Sequence, residues 1–250
     1  MITVASYGGG TNSTAMIIES IKRKEKIDLI LFADTGRRNS ELPTTYAYID
    51  KFDQWLKDHD MPRITWVRVK NESLEEDCLR RHALPAIAYG WKTCSLRFKA
   101  APQEVFINNY PPAQKEWRQG NKVVKLIGYH ADEPERAKDF SDKKFIVRYP
   151  LVEWGINQAD CEAIIKEAGL CVPVKSACSF CPSRKPGEIR QMAEIYPELT
   201  ERALKMESNA DLTAIKGLGR NFSWSDILKQ KEMYKNSDYS TPEISCGCGF

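Results

Sequence analysis

The 250-residue chain has no run approaching the roughly 18 consecutive apolar residues of a membrane span, so no membrane-integrated helix is expected. It also lacks an excess of charge of either sign. With 37 Lys plus Arg against 34 Asp plus Glu and a net charge of +3, charge alone neither announces nor excludes a nucleic-acid partner. There is no internal repeat and no low-complexity stretch. The start at Met1-Ile2-Thr3-Val4 shows no charged segment leading into an apolar core and a small-residue cleavage site, and a cytoplasmic location is expected. What is present is 42% apolar and 28% charged residues at a mean hydropathy of −0.49, which describes a soluble globular chain. Its length suits one large domain or a core domain with an appendage. Eight cysteines without a secretion signal point to metal, cluster or redox chemistry, because cytosolic thiols are kept reduced.

Apolar periodicity organises the chain. Ile2 to Ser6, Ile27 to Ala33 and Ile64 to Val69 read as strands, with helices at Ser13 to Lys24 and Thr44 to His59 between them. Val123 to Tyr129 and Phe145 to Tyr149 read as further strands, and Gln158 to Ala168 as a helix closed by Gly169. Strands alternating with helices predict an α/β fold built on a doubly wound, mostly parallel sheet, with ligands at the carboxyl ends of the strands. From about Cys171 the texture changes to loops and helices near Glu188 to Met206 and Trp224 to Tyr234. The expected division is residues 1–170 as a nucleotide-binding domain and 171–250 as a helical, cysteine-bearing C-terminal region.

Between the first strand and first helix lies Ser6-Tyr7-Gly8-Gly9-Gly10-Thr11-Asn12-Ser13-Thr14. Unpaired N–H groups and the positive end of a helix dipole favour an anion at such a turn, and adjacent glycines let the backbone approach a phosphate closely. Neither G-x-x-x-x-G-K-S/T nor G-x-G-x-x-G is present. The other reading is a plain strand-to-helix turn with Asn12 as N-cap. Asp34-Thr35-Gly36 ends the second strand, where Asp34 suits ribose, magnesium or simply a turn.

These residues resemble the PP-loop of the nucleotide alpha-hydrolase superfamily, which reads S-G-G-x-D-S followed by S or T. Gly9, Gly10, Ser13 and Thr14 match, while Gly8 stands in place of Ser and Asn12 in place of Asp. The resemblance implies ATP with Mg2+ held by Ser6, Gly8, Gly9, Gly10, Asn12, Ser13, Thr14 and Asp34, and cleavage between the alpha and beta phosphates as an acceptor is adenylylated. Gly128-Tyr129-His130-Ala131-Asp132-Glu133-Pro134-Glu135-Arg136 is similar to the G-x-R-A-x-E-S-x-R segment of the phosphoadenosine phosphosulfate reductase branch, which adds Gly128 to the nucleotide site and gives Glu133 and Arg136, with Asp34, catalytic roles. Without the resemblance, the same segment reads as a helix start with Asp132 as N-cap and Glu135 closing a capping box. Tyr149-Pro150-Leu151-Val152-Glu153-Trp154 also looks like that branch.

Cys178-Ser179-Phe180-Cys181 brings two thiolates within reach of one metal, and Cys246-Gly247-Cys248 offers another close pair. Cys94 lies in Cys94-Ser95-Leu96-Arg97-Phe98-Lys99, which resembles the family's C-x-x-x-F-K segment. In cluster-binding relatives an upstream cysteine pair joins the C-x-x-C on one iron–sulfur cluster; here Ser95 replaces the second upstream cysteine. The resemblance therefore implies a 4Fe-4S site of Cys94, Cys178, Cys181 and a tail residue, Cys248. A Zn2+ site of Cys178, Cys181, Cys246 and Cys248, or a redox thiol pair, stays open. Cys161 and Cys78 read as core, and Cys171 as packing or ligand. Arg97, Lys99, Arg136, Arg148, Arg184 and Lys185 suit phosphate contacts or a solvated surface equally.

Three functions follow. The first is an ATP pyrophosphatase that adenylylates an acceptor for sulfur transfer, with a nucleic acid as substrate, a sulfur donor such as a cysteine desulfurase and a homo-oligomeric assembly as expected partners. The second is a sulfonucleotide reductase, whose tail would read Glu-Cys-Gly-Leu/Ile-His where this one reads Ser245-Cys246-Gly247-Cys248-Gly249-Phe250. The third is a non-catalytic nucleotide-binding subunit of a modification or defence complex.

Overall fold

Five short runs rich in β-branched and aliphatic residues pair into one sheet: β1 (Thr3–Tyr7), β2 (Leu29–Ala33), β3 (Ile64–Val67), β4 (Val123–Ile127) and β5 (Phe145–Arg148). The structure, a computed structural model, describes residues 1–233. The strand order is β3-β2-β1-β4-β5 and every pairing is parallel. All five residues of β2 are buried, the reason its sequence is an unbroken apolar run.

Alternation along each strand sends side chains to two cores. On one face Ala5, Tyr7, Ile30, Phe32 and Leu126 pack beneath α1 (Thr11–Lys22), α2 (Pro43–Asp58) and, further along, α8 (Gln158–Glu167). Between α2 and the fourth strand come α3 (Leu74–Arg80), α4 (Thr93–Ser95), which continues through Leu96–Ala100 into α5 (Ala101–Asn108), and α6 (Pro111–Arg118). On the other face Val4, Leu31 and Val123 meet Ile107 of α5 and Ala113 of α6. The single turn α7 (Pro150–Glu153) precedes α8. Helices on both faces make the fold a doubly wound α/β sheet, as the periodicity predicts.

Three helices end the described chain: α9 (Pro186–Ile195), α10 (Pro197–Asn209) and α11 (Trp224–Met233). The helical stretch expected near Glu188 to Met206 is two helices. Tyr196 precedes Pro197 and is pushed out of helical geometry to φ −131°, ψ 65°, which breaks the run. A second core joins these helices to the segment before α5: Leu74, Cys78, Phe98, Phe180, Met192 and Trp224 are all buried together. Among the described residues no helix is long and apolar enough to cross a membrane.

The strand order reverses at β1, with β2 and β3 on one side and β4 and β5 on the other. The crevice at the carboxyl ends of β1 and β4 is therefore the switch point at which open parallel sheets collect ligands.

Candidate functional site

β1 runs directly into Gly8-Gly9-Gly10, and α1 starts at Thr11 with Gly10 as its N-cap, without a side-chain cap. Asn12 is thus inside the first turn and does not cap, contrary to the plain-turn reading. Gly9 holds φ +72°, and an added Cβ would stand 3.1 Å from Ile49 Cδ1. Ser13 Oγ accepts from the Gly8 N–H at 3.1 Å and donates to the Gly10 carbonyl at 3.1 Å, and the Thr14 hydroxyl donates to the same carbonyl at 2.9 Å. Both hydroxyls shape the loop. Gly128, at the end of β4, presses on it from the other side: a Cβ there would lie 2.9 Å from Ser13 Cα and N.

Beside this loop opens a cavity of about 630 Å³, within the range of small-ligand pockets. Gly8, Gly10, Asn12, Ser13 and Gly128 line one wall. The first-turn N–H groups of α1 have no intrahelical acceptor and carry the positive end of the helix dipole. Lys99, Arg136 and Lys175 also line the cavity, and no acidic side chain does. Three cations beside a helix N-terminus, with no lining carboxylate, describe a site for a multiply charged anion. Ser6 Oγ donates to Gln103 Oε1 at 2.8 Å, so its hydroxyl is held at the cavity floor.

The catalytic candidates occupy different settings. Asp34 is buried and accepts from the N–H groups of Gly36, at 3.0 Å, and Arg38, and from Tyr46 Oη at 3.3 Å. It organises the 34–41 turn and does not line the cavity. Burial raises the Tyr46 pKa, and the charges of Asp34 and Glu41 add to the rise. Arg136 lies 4.2 Å over the Tyr129 ring, with Nη1 2.5 Å from Glu133 Oε2, so Glu133 orients the cation from outside the cavity. Asp132 accepts from the Gln158 N–H at 3.1 Å, supporting the start of α8 in place of capping its own segment. Of the other basic candidates, Arg97 pairs with Asp77 and Glu72, Arg148 with Glu25 and Glu153, and buried Arg184 donates to the carbonyls of Ser179 and Ala177. Those three are structural.

The thiol turn is tied to this site. Glu41 and Cys178 form an antiparallel bridge, and the Ser179 N–H donates to the Ser40 carbonyl at 2.6 Å. Ser176 Oγ lies 2.7 Å from the Gly8 carbonyl and 2.6 Å from Glu41 Oε2. Lys99 Nζ is 3.4 Å from Glu41 Oε1. Burial alone would lower the Lys99 pKa, but the charge of Glu41 outweighs it and the pKa is raised. Thr35 Oγ1 and Cys178 Sγ are 3.4 Å apart, and burial pushes the Cys178 thiol up to about 12.

Cys94 and Cys181 pack, half-buried, against the second core that contains Cys178. Cys78 joins them. It is fully buried in the core that holds Cys178 and against which Cys94 packs, and its thiol is pushed up to about 12 chiefly by burial. Cys161 is buried in the α1–α8 core as expected. Among the described residues no group of three or more His, Cys, Asp or Glu is arranged to hold a metal ion, so Cys94, Cys178 and Cys181 alone do not make a formed metal centre. Cys246 and Cys248 lie outside the described residues.

Sequence reasoning missed Glu41, Gln103, Gln158, Lys175 and Ser176. The nearest signal for the last two is their place just before the C-x-x-C turn; the others carry no motif and are found only through the fold.

No family model matches the chain, and no curated protein matches its sequence. Among solved structures the chain is similar to the U34-tRNA thiolase NcsA from Methanococcus maripaludis, a structure with its 4Fe-4S cluster. The identity is 13% over 96% of this chain and 83% of that one, at a TM-score of 0.42.

Proposed function

We propose that the chain is a PP-loop ATP pyrophosphatase of the phosphoadenosine phosphosulfate reductase-like branch, which adenylylates an acceptor, releases pyrophosphate and serves sulfur transfer to a nucleic acid. The observation that carries the reading is the switch-point cavity, walled by the glycine loop and lined by Lys99, Arg136 and Lys175 without one carboxylate. A polyphosphate fits that charge pattern.

ATP bound there with Mg2+ supplies the adenylyl group. The protein's part is to hold and orient it. Gly8, Gly9 and Gly10 let the backbone approach the phosphates, the first turn of α1 offers the N–H groups of Asn12 and Ser13, and Gly128 leaves room for the loop. Arg136, steered by Glu133, and Lys99, steered by Glu41, face the charge that builds up as pyrophosphate leaves. Asp34 acts by fixing the 34–41 turn, and Ser6 by holding Gln103.

We further assign Cys94, Cys178 and Cys181, with Cys248, as donors to an iron–sulfur cluster, with zinc as the competing occupant and a cysteine desulfurase as the sulfur source. Iron, sulfide and zinc quantitation on anaerobically purified protein separates these: about four irons and four sulfides per chain support the cluster, and roughly one zinc without colour overturns it in favour of a structural site.

Calorimetric titration with Mg-ATP tests the nucleotide reading. The double variant Gly9→Ala, Ser13→Ala is expected to lose at least about tenfold in affinity, because it forces a Cβ into a left-handed position and removes the loop's internal hydroxyl. Unchanged affinity overturns the phosphate-loop assignment.

A further inference from the structure

A second cavity, of about 830 Å³, adjoins the nucleotide cavity and shares Ser6, Lys99, Gln103, Tyr129 and Arg136 with it. Beyond the shared residues it is lined by Lys92, Ser95 and Leu96 at the start of α4 and its continuation, by Lys138 and Phe140 in the loop after β4, and by residues of α5, β4 and β5. We infer that this cavity receives a single unstacked nucleotide of the nucleic-acid acceptor, with its base against Phe140 and Leu96 and its backbone phosphates on Lys92 and Lys138. The inference rests on the proposed function for what occupies the adjoining cavity.

Two independent features point to this ligand. The first is exposed apolar surface at the mouth: Phe140 is 65% and Leu96 62% exposed, although both are large and neither packs in any of the three cores. An exposed aromatic beside an aliphatic side chain offers a base a face to stack on, whatever its identity. The second is charge. Lys125 is paired with Glu104, and Lys99 and Arg136, shared with the nucleotide cavity, are oriented by Glu41 and Glu133, but Lys92 and Lys138 have no ion-pair partner among the described residues. Of the lining carboxylates, Glu104 is paired to Lys125, Asp142 accepts the N–H groups of Lys144 and Phe145, and Glu135 is exposed. Lone cations lining the same cavity as an exposed aromatic match a strand in which phosphate and base alternate.

The position also explains why the nucleotide must be unstacked. The cavity lies between the Lys99–Arg136 pair and the Cys94 turn, so an atom to be adenylylated must enter it to reach the neighbouring phosphates. A base inside a duplex cannot enter a recess of this size without leaving the stack.

Fluorescence anisotropy with a short labelled single-stranded RNA, and with the same sequence in a blunt duplex, tests the inference on the full chain. The single strand is expected to bind more tightly than the duplex. Phe140→Ala alone, and Lys92→Glu with Lys138→Glu, are each expected to weaken single-strand binding by about tenfold. Mg-ATP affinity should be unchanged in both variants, which also shows that they are folded. Equal binding by variants and parent, preference for the duplex, or displacement of the RNA by free mononucleotide at equal concentration overturns the inference. Because RNA binding is read without ATP, failure of nucleotide binding in the parent chain overturns the proposed function separately.

Discussion

Ser176 Oγ lies 2.7 Å from the Gly8 carbonyl, a contact between residues 168 positions apart that fastens the segment before the thiol turn to the glycine loop. The same oxygen is 2.6 Å from Glu41, which is itself bridged to Cys178. One hydroxyl therefore links the two halves of the candidate site.

Ser176→Ala removes that link and leaves Glu41 with Lys99 alone. The expected cost is about 1 kcal/mol of stability, the usual worth of a partly buried hydrogen bond, and Mg-ATP affinity about fivefold weaker as the loop gains freedom. Urea denaturation and calorimetric titration check the two effects; a stability loss with unaltered ATP affinity would show that the link is structural only.

Gly128→Ala places a methyl 2.9 Å from the Ser13 backbone, where no flexible side chain can give way. Mg-ATP affinity should fall by more than about tenfold, with a stability loss of about 2 kcal/mol from overpacking. Gly187→Ala, whose Cβ would meet nothing within 4 Å, is the matched control and should leave both unchanged.

Much of this architecture is legible in the sequence. Strand periods fix the sheet because each strand feeds two cores, and Ile30 and Leu31 point to opposite faces as alternation requires. The glycine loop is visible because backbone chemistry is local. The Ser176–Glu41–Lys99 connection is not, since it depends on residues far apart meeting at one sheet edge. Cys78 shows the same limit: its helical neighbours mark it as core, and only the packing of α3 against the thiol turn places it near Cys94 and Cys178. The break at Tyr196 is readable from Pro197, because a proline disfavours helical geometry in the residue before it.

Asp53 joins α2 to β3, accepting from Arg63 Nε at 2.9 Å and the Ile64 N–H at 2.7 Å. Burial would raise its pKa, but these two donors outweigh it and hold the carboxyl below its ordinary value. A depressed folded-state pKa contributes stability above the unfolded-state pKa, and that contribution is lost as pH falls through the folded value. Asp53→Asn should therefore cost about 1 kcal/mol near neutral pH, with the gap to the parent closing in strong acid. Urea denaturation at both pH values checks this; a gap that persists in acid would exclude the charge as its source.

Burial sets the thiols apart. Burial pushes the thiols of Cys78, Cys161 and Cys178 up to about 12, so their reactive thiolate forms are disfavoured near pH 8. Cys94 and Cys181 are half-buried. In metal-free protein iodoacetamide should modify Cys94 and Cys181 before Cys78, Cys161 and Cys178, as read by peptide mass spectrometry. Early labelling of Cys178 would show that the thiol turn opens in solution.

The most direct test of the account is the product of ATP turnover in the presence of a single-stranded RNA acceptor. Cleavage between the alpha and beta phosphates predicts pyrophosphate, with AMP either free or joined to the acceptor, and loss of both products in the Gly9→Ala, Ser13→Ala variant. Formation of ADP and inorganic phosphate would contradict it.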